Sequence, residues 1–232
     1  MDLEVLLNAD TLDSVSAKEI GNLKTLSGYS PSLSIHAPFM DLSPGAVDSK
    51  VRAATMERFS QVFDVAEVLK PSVIVFHSGY EKWKYDHKID LWLEGCMKTW
   101  PVFIERAASI GTKIAIENIF EEDPDSLKEL INALDSPHFG VCFDTGHFNL
   151  FSKRPLSVWL ESLGPHIMEF HLHDNTGSID SHLSIGDGNF DFDLLFRSFK
   201  NRDVVHTIEA HNPGDVFKSM ERLTVLLEKY PA

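Results

Sequence analysis

The sequence predicts a parallel α/β barrel, and three observations predict it. Short apolar runs rich in β-branched and aromatic residues alternate with longer amphipathic stretches from end to end, the pattern of repeated strand–helix units. Six successive apolar runs each lead into a potential metal ligand: Ile35 into His36, Phe76 into His77, Ile116 into Glu117, Phe143 into Asp144, Phe170 into His171 and Ile208 into Glu209. Barrels of this class carry their chemistry at the C-terminal ends of the strands. With 35 Asp+Glu and 11 His among 232 residues, six such placements by chance would be a rare coincidence.

Taken in order, strands are expected at about 3–8 (LEVLLN), 33–37, 73–78, 113–118, 140–145, 167–173 and 204–210. A helix over Ser14 to Leu26 follows the first strand. Pro44-Gly45 and Asp48 announce a helix from Val51 to Leu69, which Pro71 stops; Asp125 and Ser126 precede Leu127 to Leu134; Asp215 precedes the last run to Tyr230. The stretch from Asp174 to Gly188 is rich in Gly, Asp, Ser and Asn yet carries hydrophobics and a histidine, so an ordered functional loop is expected. Gly186 and Gly188 read as turn glycines, because no GxGxxG pattern surrounds them. Trp83, Tyr85 and Trp92, after the His77 strand, suit either a lid or a packed outer layer. No interdomain linker or low-complexity tract interrupts the chain, and a single domain over residues 1–232 is expected.

Composition removes several function classes. The formal net charge of −14 disfavours duplex DNA, whose binding needs several Lys or Arg contacts to phosphates. Cys96 and Cys142 form neither a disulfide framework nor a CxxC motif, so a reducing cytoplasm is the simplest compartment. The N-terminus has no basic and apolar leader, and no apolar run approaches the roughly 18 residues of a membrane span.

A barrel brings its strand ends around one mouth, and carboxylates and imidazoles gathered there repel or desolvate one another unless a cation neutralises them. Mixed His and carboxylate donors without thiolate suit a divalent ion, Zn first and Mn second. Three more residues extend the set: His147, three after Asp144 in CFDTGH, and Asp180 and His182 in IDSHLSIGDG. His173 and His211, each two after a ligand, suit substrate contact or simple lining of the mouth. His87, His138, His166 and His206 read as ordinary core or surface residues.

These residues resemble the xylose-isomerase-like TIM barrels, a superfamily that includes endonuclease IV and many sugar isomerases and epimerases. The resemblance spans nearly the whole chain and implies a TIM-type (β/α) barrel. It implies nine metal ligands matched in type and order: His36 in SIHAPF, His77 in VFHSG, Glu117 in AIEN, Asp144 and His147 in CFDTGH, His171 in FHLHD, Asp180 and His182 in DSH, and Glu209 in TIEAH. It also implies that Glu117 bridges two of up to three ions. Family barrels have two βα units before the first ligand histidine, whereas 32 residues precede Leu33 here. A seven-stranded barrel lacking the first βα unit is therefore expected, with strands 3–8 and 204–210 unpaired and the gap closed by distortion or a homodimer contact.

Two activities follow as expectations. The full set of nine favours hydrolysis of a phosphoester, with a small phosphodiester preferred over DNA. The alternative is isomerisation or epimerisation of a sugar or sugar phosphate by the subset Glu117, Asp144, His171 and Glu209, in which Glu117 and Glu209 are catalytic proton carriers around one ion. The arginine common beyond the ligand histidine in that branch has no counterpart in HLHDNTGSID, which sets hydrolysis ahead on sequence.

Overall fold

A computed structural model describes residues 2–26 and 31–231, with the side chains of 23–26 outside the description. The described residues contain seven parallel strands, the number expected, and the chain divides into two compact units. One comprises Met1–Glu117 and Ser126–Gly140; the other comprises Asn118–Asp125 and Val141–Ala232. No helix among the described residues is long and apolar enough to cross a membrane.

The first unit holds β1 (Leu3–Leu6), α1 (Ala9–Ser14), α2 (Ala17–Leu26), β2 (Leu33–His36), α3 (Ser49–Leu69), β3 (Val73–His77), α4 (Ile89–Ile110), β4 (Lys113–Glu117) and most of α5 (Asp125–Leu134). Its strands pair in parallel in chain order, with Leu6 beside His36 and His77 beside Glu117. The helix expected over Ser14 to Leu26 starts at Ala17 as α2, and a short helix not expected from the sequence, α1, precedes it. Val15 leaves the helical conformation, and Ser16 and Glu19 form a reciprocal capping box, Ser16 N–H to Glu19 Oε2 at 2.9 Å and Glu19 N–H to Ser16 Oγ at 3.3 Å, which starts α2 afresh.

Helix α3 begins at Ser49, two residues before the expected Val51, because Asp48 accepts hydrogen bonds from the amides of Lys50 and Val51. Its buried face, Phe59, Val62, Phe63, Ala66 and Leu69, meets the sheet and α4. Phe59 lies 4.5 Å from Phe76 and 5.4 Å from Trp100 between ring centroids. Of the three aromatic residues after His77, Tyr85 and Trp92 are buried as a packed layer and only Trp83 is exposed. Close packing there fixes Gly45, whose added Cβ would lie 2.1 Å from the Trp92 ring.

The second unit holds the end of β5 (Phe139–Asp144), α6 (Thr145–Phe151), α7 (Leu156–Leu163), β6 (Ile167–Leu172), α8 (Phe192–Ser198), β7 (Val205–Ile208) and α9 (Pro213–Lys229). β5, β6 and β7 are again parallel and in chain order, with Asp144 beside His171. Its core is aromatic: Phe143, Trp159, Phe170, Phe190 and Phe196 are buried together with Leu195 and Phe199. The loop after β6 is ordered, as expected, and makes an antiparallel bridge between Asp174 and Leu183.

Candidate metal centre

In the first unit, three expected ligands end three neighbouring strands and converge on one oxygen. His36 Nε2 lies 3.1 Å, and His77 Nε2 3.4 Å, from Glu117 Oε2. Parallel pairing explains the convergence: His77 and Glu117 are register partners, and His36 pairs with Val75, two residues before His77 and so on the same face of the sheet. The other nitrogen of His36, Nδ1, lies 2.9 Å from the carbonyl of Ala37. A carbonyl only accepts, so Nδ1 carries the proton and the Nε2 lone pair is aimed at a carboxylate oxygen that is also an acceptor. Two acceptors at that distance require a positive charge between them, a proton or a metal ion, and a backbone carbonyl holding the far nitrogen is the usual second contact of a metal-bound histidine. Phe39 stacks on His77 with centroids 4.2 Å apart.

The second unit gathers the rest. Asp144, fully buried, ends β5 and caps α6 by accepting from the amide of His147 at 2.7 Å. Asn118 grips its backbone twice, donating to the Asp144 carbonyl at 3.0 Å and accepting from its amide at 2.9 Å. His171 Nδ1 stands 3.2 Å from Glu209 Oε1 and 3.9 Å from Asp144 Oδ2. These three residues offer ligand atoms that all lie within 4.8 Å of one another.

A second group leans on the first. Asp180 Oδ2 is 3.5 Å from His147 Nε2 and 3.2 Å from His182 Nε2. His182 stacks on His173 at 3.9 Å and on the exposed His211 at 4.4 Å. His173 is fully buried, with Nε2 3.1 Å from both oxygens of Asp144. The Nδ1 atoms of His173 and His182 are buried and make no hydrogen bond among the described residues.

Charge follows from this crowding. Burial opposes protonation of His173, yet Asp144 beside it, with Glu209 and Asp180, outweighs burial and raises its pKa. For Asp180 burial is the largest single influence and acts upward, but hydrogen bonds and charge from His147, His182 and His173 together hold it far below the usual carboxylate range. Each group therefore has acidic oxygens stabilised by imidazole, and the donor chemistry in each unit, carboxylate and imidazole without thiolate, fits a divalent ion. The two cysteines, Cys96 and Cys142, are buried and form no disulfide.

Sequence reasoning named all nine ligand candidates but missed the residues that hold them. Asn118 stands directly beside Glu117 in the sequence. Thr145, whose hydroxyl donates to the His173 carbonyl at 2.7 Å, and Gly146, where a Cβ would lie 2.0 Å from the His173 ring, sit inside the CFDTGH motif itself.

Comparison with known proteins agrees with this architecture. The chain is 34% identical over 209 residues to the uncharacterized protein MJ1311 of Methanocaldococcus jannaschii, covering 86% of this chain and 71% of that one. A solved structure described as a D-tagatose 3-epimerase-like protein superposes with a TM-score of 0.84 at 31% identity, over 98% of this chain and 88% of the other. The TTHB071 protein of Thermus thermophilus, from a crystal soaked with ZnCl2, gives 0.81 at 27% identity, over 99% and 89%. The sequence model of the xylose isomerase-like TIM barrel matches residues 9–225, and the chain belongs to that enzyme family.

Proposed function

We propose that this protein is a divalent-metal-dependent isomerase or epimerase of a sugar or sugar phosphate. The convergence of Asp144, His171 and Glu209 carries the reading: these are three of the four residues expected to hold a single ion. It is supported by the likeness, at 31% identity over 98% of the chain, to a D-tagatose 3-epimerase-like protein. The phosphoesterase expectation, placed first on sequence, takes second place, since none of the relatives named above is described as a phosphoesterase.

The roles follow from the donor chemistry. Asp144, His171 and Glu209 would hold the ion, Zn before Mn; Glu117 is the fourth member of the subset expected from the sequence. When bound, the ion polarises the carbonyl and neighbouring hydroxyl of the sugar and so acidifies the carbon between them. One glutamate, Glu117 or Glu209, removes the proton from that carbon; the other returns a proton to the opposite face or to the adjacent carbon. His173 bonds the Asp144 carboxylate, a position that suits orienting Asp144, while the exposed His211 would meet a hydroxyl of the substrate. The substrate is a small molecule, and two buried cysteines that form no disulfide suit a reducing compartment.

One observation favours hydrolysis as a second reading. His36 and His77 both address Glu117, and Asp180 joins His147 to His182, so ligand-type groups remain beyond those a single ion needs. Elemental analysis of the purified chain together with deuterium exchange separates the two. One ion per chain and solvent deuterium entering a ketose support isomerisation; three ions, turnover of a phosphodiester and no exchange overturn it. Glu117→Gln and Glu209→Gln are each expected to slow exchange by about 10²- to 10⁴-fold.

A further inference from the structure

Asp174 follows the β6 cluster immediately and belongs to none of the ligand groups, yet it is fully buried. A buried carboxylate without a cation beside it must be satisfied by donors. Here four backbone amides supply them: Asn175 at 2.9 Å and Phe190 at 3.2 Å donate to Oδ1, and Gly186 at 3.1 Å and Gly188 at 2.9 Å donate to Oδ2. Main-chain bonds between Asp174 and Leu183, at 2.9 and 2.8 Å, tie the same point to the middle of the loop. Gly188 has no room for a side chain, since a Cβ would lie 2.3 Å from Asp174 Oδ1.

Asn175 completes the fastening. Its side chain donates to the Gly146 carbonyl at 2.8 Å and accepts from the Gly177 amide at 2.9 Å; Asn149 of α6 donates to its side-chain oxygen at 2.9 Å and to the Asn189 side chain at 2.6 Å. Both ends of the 177–190 segment are thereby fixed to β6 and to the helix that carries His147. Between the fixed points the segment bears Asp180 and His182.

We propose that Asp174 and Asn175 form a clasp that positions Asp180 and His182 against His147 and His173, so that the outer donor group is built by the polypeptide before any ion arrives. Asp174 is a positioning residue: it acts through the loop and touches no reacting atom. The ligand role of Asp180 and His182 rests on the metal-centre reading above, but the geometry of the clasp does not.

The test uses the full chain with isotope-labelled histidines and two independent readouts. His182, sandwiched between His173 and His211, gives ring-proton signals displaced by its neighbours, and His182→Gln assigns them. Asp174→Asn replaces two accepting oxygens with one and is expected to move the His182 signals toward those of an exposed histidine, leaving His138 and His206 where they are. In a titration with CoCl2 the same variant is expected to bind at least tenfold more weakly, and so is His182→Ala. A His182 signal unmoved by Asp174→Asn, or undiminished Co2+ binding by that variant, overturns the proposal. Should Asp174→Asn fail to fold, Asn149→Ala, which cuts only the outer tie, decides by the same signals: displacement supports the clasp and an unmoved His182 overturns it. Absence of Co2+ binding by the unsubstituted chain would sink the metal reading while the ring signals still judge the clasp.

Discussion

His36 shows how much a single backbone contact determines. The Ala37 carbonyl assigns the proton to Nδ1 and leaves the Nε2 lone pair, beside Glu117, available to a cation. Replacing His36 with Ala is expected to weaken ion binding in that group by more than tenfold, measured by Zn2+ competition against a chromogenic chelator. Gly146→Ala tests the packing behind the other group, because the new methyl would sit 2.0 Å from the His173 ring and push it from Asp144. Loss of metal affinity with a small change in melting temperature is the expected result. His206, by contrast, is a core residue stacked on Phe196 with centroids 5.6 Å apart, and burial, opposed only by Asp203, holds its pKa below the ordinary value. The unfolded chain binds that proton near pH 6.5, so stability is full above this and falls as pH drops through the folded value. His206→Phe is expected to flatten the fall in melting temperature between about pH 7 and pH 5.

At the scale of elements, helix signals in the chain acted where local chemistry sufficed. Asp48 caps α3, and Asp48→Ala is expected to cost about 1 kcal/mol in urea unfolding. The face of the same helix matters more: Phe59 is buried against Phe76, Trp100 and Phe103. Phe59→Ala leaves a cavity that this packed aromatic group fills poorly, with an expected loss of about 3–5 kcal/mol. A much smaller loss would mean that the first unit's core is less tightly packed than the ring geometry indicates. Helix α1 escaped periodicity because its six residues, Ala9–Ser14, are too few to show a period; the capping box from Ser16 to Glu19 starts α2 at Ala17 rather than at the expected Ser14.

For the molecule as a whole, the strands and the candidate ligands at their ends were legible in the amino-acid order, and the reason is physical. A strand buried on both faces must be an apolar run, and a parallel sheet puts the ends of successive runs on one side, so His36, His77 and Glu117, or Asp144 and His171, announce themselves by following such runs. The excess of acidic residues, net −14, likewise disfavoured duplex DNA as a partner without any coordinates. What only tertiary structure decided is which atom meets which: that His173 is walled in against Asp144 while His211 stays exposed, and that Asp174 spends its carboxylate on amides up to sixteen positions away rather than on an ion. A carboxylate looks the same in sequence whether its partner will be an imidazole, a cation or four peptide N–H groups. The partner is set by how the 174–190 loop, which has no periodicity to read, folds back over the strand that precedes it.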